Sequence, residues 1–170
     1  MLFRQILSAL ALSTSMVLAA PAASAEEMLI TNIQTHQPSS RSTTDKNVTI
    51  SFTVQNPDPL SGAVTTCSGS WPLNSTHGYP TGGYQNCANS SYAWNFADNG
   101  FQNIYTFTLQ VENVFTDPSV GQPPWDQMTS FAHASISKSN LTCTHHSDNE
   151  IACEQPANST IKAPIWAQTA

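Results

Sequence analysis

Four cysteines, Cys67, Cys87, Cys143 and Cys153, constrain this chain more than any other feature. All of them follow a segment that reads as a secretory leader. Arg4 is the only charged side chain before Glu26. Residues 6–20 are dominated by Leu, Ala, Ile, Val and Met, and Pro21 precedes the small residues Ala23-Ser24-Ala25. That order predicts cleavage after Ala25, with 1–25 a signal peptide and 26–170 a single mature domain. A membrane-spanning helix would need about 20 apolar residues, whereas this run is interrupted by Ser8, Ser13, Thr14 and Ser15. No later stretch is apolar enough to span a bilayer, and the ending 165–170 is too short for the tail of a lipid-anchor signal. The expected location is extracellular.

An even number of cysteines in an oxidising compartment predicts two disulfides, drawn from three possible connectivities. Residues 141–145 and 150–154 flank Ser147-Asp148-Asn149, whose side chains favour turns. A hairpin folding at Asp148 would set Cys143 opposite Cys153 across the two strands. Cys67 and Cys87 are then left to close a loop rich in Gly and Pro. Each bond should stabilise by about 3 kcal/mol on the loop-entropy scale. Zinc is the competing use of such residues, but no C-x-x-C occurs and an oxidising compartment removes free thiolates. No metal and no cofactor is expected.

Strand signals dominate the rest. Residues 48–54 alternate apolar and hydroxylated side chains, which predicts a half-buried strand with Val48, Ile50, Phe52 and Val54 facing inward. Asn56-Pro57-Asp58-Pro59 ends it. Tyr92, Trp94 and Phe96 repeat the alternation, with a turn expected at Asp98-Asn99-Gly100. Tyr105, Phe107, Leu109 and Val111 form the longest stripe. Further strands are predicted over 28–36, 63–70, 130–137, 140–146, 150–155 and 159–166, with an irregular loop from Asp117-Pro118 to Pro123-Pro124. No amphipathic helix and no internal repeat is present. Eight to ten short strands separated by turn residues predict an all-β, compact antiparallel β-barrel or sandwich, its modest core reinforced by disulfides.

Composition narrows the function. Only 9% of the 170 residues are Asp, Glu, Lys or Arg, against roughly 25% in an ordinary soluble domain. Polarity comes instead from 21 Ser, 19 Thr, 13 Asn and 11 Gln. The net charge of −6, with five basic residues and no basic cluster, argues against nucleic acid or an anionic membrane as partner.

The order of features is specific enough to suggest a relationship. A leader is followed by the strand Ile50-Ser51-Phe52-Thr53-Val54 and a Pro/Asp turn, then Cys67 close to Trp71. Cys87 precedes an aromatic strand, and the late pair Cys143 and Cys153 brackets one hairpin. This pattern resembles the small secreted fungal proteins related to the major allergen of Alternaria. The resemblance implies a compact β-barrel with two sequential intrachain disulfides and a role as an extracellular effector or allergen. The extra N-terminal cysteine by which some members join two chains has no counterpart in residues 26–66.

No motif names a catalyst. G-x-S-x-G, H-E-x-x-H, a P-loop and a dinucleotide-binding glycine signature are all missing. A copper site built on an N-terminal histidine would need His where the mature chain has Glu26. His145 and His146 lie beside Asp148 and Glu150, but adjacent side chains of a strand point to opposite faces, so an exposed polar hairpin tip is the expectation. His133, between Ala132 and Ala134, reads as a hydrogen-bonded structural residue. Glu112, Asp117, Asp126, Asp148, Glu150 and Glu154 could supply a glycosidase pair only if folding brought two of them to about 5–9 Å. The chain is therefore expected not to be an enzyme.

Binding has better support. Trp71, Tyr79, Tyr84 and Trp125 sit in segments rich in Gly or Pro, and residues 78–84 lie inside the loop that Cys67–Cys87 would close. A stiffened loop presenting aromatic rings binds at low entropic cost. The expected partner is a host extracellular protein, a small aromatic ligand or a glycan, and the alternative function is a carbohydrate-binding or cell-wall-associated module. Five N-x-S/T sequons, at Asn47, Asn74, Asn89, Asn140 and Asn158, predict a glycoprotein.

Overall fold

The computed structural model describes residues 26–61, 63–73 and 79–170. The expected signal peptide, 1–25, and the expected glycosylation site at Asn74 lie outside the described residues. Among the described residues the period-two patterning becomes ten strands: β1 (Glu27–Gln37), β2 (Asn47–Gln55), β3 (Thr65–Pro72), β4 (Gln85–Asn86) and β5 (Tyr92–Asn103) in the first half. β6 (Thr106–Thr116), β7 (Gln127–Ile136), β8 (Thr142–His145), β9 (Ile151–Glu154) and β10 (Ile161–Thr169) complete the set. Helix is confined, among the described residues, to single 3-10 turns at Lys138–Asn140 and Ser147–Asn149. No described helix is long and apolar enough to cross a membrane.

All pairings are antiparallel, in the order β3-β2-β1-β10-β7-β6-β5-β4, with the β8–β9 hairpin branching from β1. The branch has a local cause. Asn32 adopts a positive φ of 53° and the register of β1 against β2 shifts between Thr31 and Gln34, so one extra residue is accommodated as a bulge. The bulge reverses which parity faces inward: Met28 and Ile30 are buried before it, Ile33 and Thr35 after it. β1 pairs with β10 on the first side of this point and with β9 on the second. The buried Gln155 closes the fork. Its Oε1 accepts from Ile33 N at 3.1 Å, its own N–H donates to Ile33 O at 2.8 Å, and Nε2 donates to Ser159 O at 3.1 Å.

The sheet curls into a nearly closed barrel. Its outer strands, β3 and β4, are brought together by the Cys67–Cys87 disulfide and by Ala88 N donating to Thr66 O at 2.9 Å. Cys143–Cys153 joins directly opposed residues of the β8–β9 hairpin. Both expected pairings are present.

Inward-facing side chains fill the interior: Val48, Ile50, Phe52 and Val54 from β2, Tyr92, Trp94 and Phe96 from β5, and Phe107, Leu109 and Val111 from β6. The two ends of the barrel differ in chemistry. At one end Asn56 Nδ2 donates to Asn113 Oδ1 at 3.1 Å, Asn113 Nδ2 donates to Ser91 O at 3.2 Å, and Asn56 N donates to Tyr92 Oη at 3.1 Å. This network satisfies buried carboxamides that would otherwise be costly. At the other end Trp71, Tyr79, Phe96 and Phe101 form an aromatic plug with ring centroids 4.8–6.1 Å apart.

One expected turn is a bulge instead. Phe96 pairs with Leu109 and Phe101 with Phe107, so residues 97–100 loop out of β5 while the hairpin turn itself falls at Ile104-Tyr105. Asn99 takes φ 55°, and a Cβ at Gly100 would meet Ala97 O at 2.8 Å. Asn-Gly supplies the required backbone freedom without forming the hairpin turn.

Candidate functional site: an aromatic face on the barrel exterior

The four aromatic residues singled out from the sequence occupy three different environments. Trp71 is only 4% exposed and meets Phe96 and Phe101 edge-on, and Tyr79 packs against the same two rings. Both belong to the aromatic plug. Trp125 is 79% exposed in the β6–β7 loop. Tyr84, just before β4, lies on the outer surface of the sheet.

Registry builds a surface around Tyr84. Cross-strand partners share a face, and Asn95 of β5 pairs with Gln110 of β6, which pairs with His133 of β7. The adjacent row is Ala93, Glu112 and Phe131, continued by Ala167 on β10. Outward-pointing Trp166 of β10, 57% exposed, covers the end of both rows, its ring 5.3 Å from His133 and 5.9 Å from Phe131. Tyr84 approaches from the opposite side, 6.4 Å from Phe131. Four rings therefore surround the carboxamide of Gln110 and the carboxylate of Glu112.

The electrostatics of this face follow from partial burial without compensation. Glu112 has no hydrogen-bonding or basic partner among the described residues, and burial raises its pKa above the ordinary glutamate value. Burial, aided by the Glu112 charge, pushes the Tyr84 phenol up to about 12, with Gln110 opposing. Gln110 is the polar side chain nearest in effect to the phenol, but Tyr84 Oη makes no well-formed hydrogen bond among the described residues, and neither do Asn95 Oδ1 and His133 Nε2. His133 was expected to be hydrogen-bonded; its Nε2 is instead buried beside Trp166 with no partner. Buried polar atoms in this condition cost about 1–3 kcal/mol each and are uncommon.

A pH signature should result. Because the folded-state pKa of Glu112 is raised, the folded protein holds its proton more tightly than the unfolded chain. Its contribution is complete below the ordinary glutamate value and is lost as pH rises through the folded-state pKa. Glu112→Gln should therefore be more stable than wild type near neutrality, with the difference closing in acid, as read from urea midpoints across the pH range. The same variant removes a charge that raises Tyr84, so the alkaline tyrosinate absorbance step near 12 should move to lower pH.

A second, polar groove of about 480 Å³ lies on the outside of β2, β1, β9 and β8, lined by Gln34, His36, Ser51, Thr144, His146 and Glu154 among others. Within it His36 is flanked by carboxylates, Nε2 3.2 Å from Glu150 and Nδ1 3.7 Å from Asp45, while Arg41 meets Asp148 at 2.8 Å beside the hairpin tip. His145 and His146 are both exposed. No group of three His, Cys, Asp or Glu side chains among the described residues could hold a metal ion. Asp117, in the β6–β7 loop, has its pKa lowered by hydrogen bonds from Ser119.

Neither a protein-family model nor a curated protein matches the chain. Among solved structures it is similar to the allergen Alt a 1 of Alternaria alternata. One such crystal structure aligns at 14% identity over 86% of this chain and 95% of the allergen, with a TM-score of 0.47. A second, of the major allergen Alt a 1, aligns at 13% identity over 87% of this chain and 100% of that one, with a TM-score of 0.45. The likeness is of a barrel-like β fold at low identity.

Gln110, Glu112, Phe131, His133 and Trp166 were not singled out together from the sequence as a binding surface. The available signal was the size pattern of β7, where Phe131 and His133 alternate with Ser130, Ala132 and Ala134. Over residues 130–134 the small residues face inward and the large ones outward.

Proposed function

We propose that this protein is a secreted, non-enzymatic binding protein, effector- or allergen-like, that acts outside the cell through the face formed by Tyr84, Gln110, Glu112, Phe131, His133 and Trp166. The observation that carries this reading is the grouping on one outer surface of the exposed Trp166 and the half-buried rings of Tyr84, Phe131 and His133 around the unpaired Glu112. A partner lying across the face would bury the rings and compensate the Glu112 carboxylate at once, which is how aromatic binding surfaces gain both affinity and specificity. The leader in the sequence and the two disulfides support export to an oxidising space. Asn47 and Asn158 are exposed in the fold, as glycan acceptors must be, Asn89 begins a turn and Asn140 ends the 3-10 turn Lys138–Asn140.

The partner class is a host extracellular protein, a small aromatic ligand or a glycan. A carbohydrate-binding role is favoured by one specific feature, the Gln110 carboxamide lying in the row of the His133 ring and next to the row of Phe131, since sugars offer hydroxyl edges and apolar faces together. The test is capture of extracellular extract components and of polysaccharides by immobilised wild type, Trp166→Ala and Trp125→Ala. Capture should fall about tenfold or more in Trp166→Ala, as for an aromatic anchor, and persist in Trp125→Ala. Undiminished capture by Trp166→Ala would remove this face as the binding surface.

A further inference from the structure

The aromatic face offers an outside partner one uncompensated charge. The Glu112 carboxylate is part-exposed and both of its oxygens can accept, whereas Tyr84 Oη, Asn95 Oδ1 and His133 Nε2 are sealed from solvent. An occupant that compensates Glu112 must bring a positive charge and donors to its oxygens. It must also present a flat apolar surface to Phe131, Tyr84 and Trp166. A guanidinium does both: five N–H donors in a planar fork, no acceptor, and a weakly hydrated face that stacks on aromatic rings. The charges agree. The chain carries a net −6, and no basic side chain pairs with Glu112 among the described residues, since Arg41 is engaged by Asp148 and Lys162 by Glu27.

Resting on the reading of this face as the binding surface, we propose that its partner is a basic protein segment that lays an arginine side chain on it, the guanidinium pairing with Glu112 beside the rings of Tyr84, Phe131 and Trp166. Lysine fits less well, because an ammonium is a strongly hydrated point charge that cannot stack as a plane. A neutral sugar fits the rings but leaves the carboxylate uncompensated. The acidic field of the whole chain would speed encounter with such a segment and make binding sensitive to salt.

The experiment is an NMR titration of the folded, disulfide-intact protein with an end-capped Gly/Ser peptide carrying one arginine, and with versions carrying lysine or the neutral isostere citrulline. Neutral oligosaccharides form a separate arm. The arginine peptide should shift resonances of Gln110, Glu112, Phe131 and the Trp166 indole. Substitution by citrulline, or the variant Glu112→Gln, should weaken binding about tenfold or more, and Trp166→Ala should weaken it as well, each variant being checked as folded from its own spectrum. Equal binding of citrulline and arginine peptides, or no effect of Glu112→Gln, would overturn the proposal. Oligosaccharides moving these resonances while the arginine peptide does not would also overturn it, yet leave the face as a binding surface. If nothing moves them, and capture by immobilised protein is independent of Trp166, both readings fail.

Discussion

Replacing Cys67 and Cys87 together by alanine should cost about 3 kcal/mol or more of unfolding free energy, and more than the same change at Cys143 and Cys153. Loop length alone would barely separate the two bonds. They close sequence separations of 20 and 10 residues, and that doubling is worth only about 0.6 kcal/mol in chain entropy. Position in the sheet makes the larger difference. Cys143–Cys153 reinforces a hairpin whose strands are already paired from Thr142↔Glu154 to His145↔Ile151. Cys67–Cys87 instead joins β3 to the strand end beyond β4, the two extremes of the strand order. Across that seam the backbone contributes Ala88 N to Thr66 O, helped by Asn89 N donating to Thr65 Oγ1 at 2.9 Å. Without the bond, β3 and β4 would be free to part and expose unpaired edges, a known route to self-association. Urea midpoints and gel filtration of the two double variants test this. Equal losses, with both variants monomeric, would show that the seam does not depend on its disulfide.

Much of this architecture was legible because it is local. The alternation in 48–54 and the disposition of Ser147-Asp148-Asn149 between two cysteines each specify a face or a pairing within ten residues. What could not be read is set by long-range registry. The bulge at Asn32 reverses the inward parity of β1, and its necessity becomes clear only when β9 and β10 are seen to share that strand. Asp98-Asn99-Gly100 carries the chemistry of a hairpin turn, yet pairing with β6 makes it a bulge. Trp71 looked like a loop residue, although its separation of four from Cys67 on an alternating strand places both on the inner face; that signal was present in the sequence. The aromatic face was hidden for a different reason. Size ordinarily predicts interior position, and the middle of β7 does the reverse because Ala132 is registered against inward-facing Val111. Only the pairing shows that Phe131 and His133 must then point outward, where Trp166 and Tyr84 join them from distant parts of the chain.

The same seam gives the largest packing prediction, centred on Trp94. Its side chain is fully buried, edge-on to Phe52 at 5.3 Å and Phe96 at 5.4 Å. Trp94→Ala should cost about 3–5 kcal/mol, through lost burial and the cavity left behind. Trp94→Phe should cost much less than its lost volume suggests, because Nε1 is buried without a hydrogen-bond partner among the described residues, and phenylalanine removes that donor. The indole also dictates its neighbour across the seam. A Cβ at Gly69 would stand 2.7 Å from Trp94 Cζ2 and 3.0 Å from Cη2, so Gly69 is required by close approach. Gly69→Ala alone should therefore destabilise by about 1–3 kcal/mol through overpacking. In the Trp94→Phe background the clashing ring atoms are gone, and the same substitution should become neutral or favourable as the methyl fills vacated space. A double-mutant cycle measured by urea denaturation isolates this coupling. Additive losses would mean that the indole does not press on β3, and the barrel would then be closed at this level by the disulfide and the backbone alone.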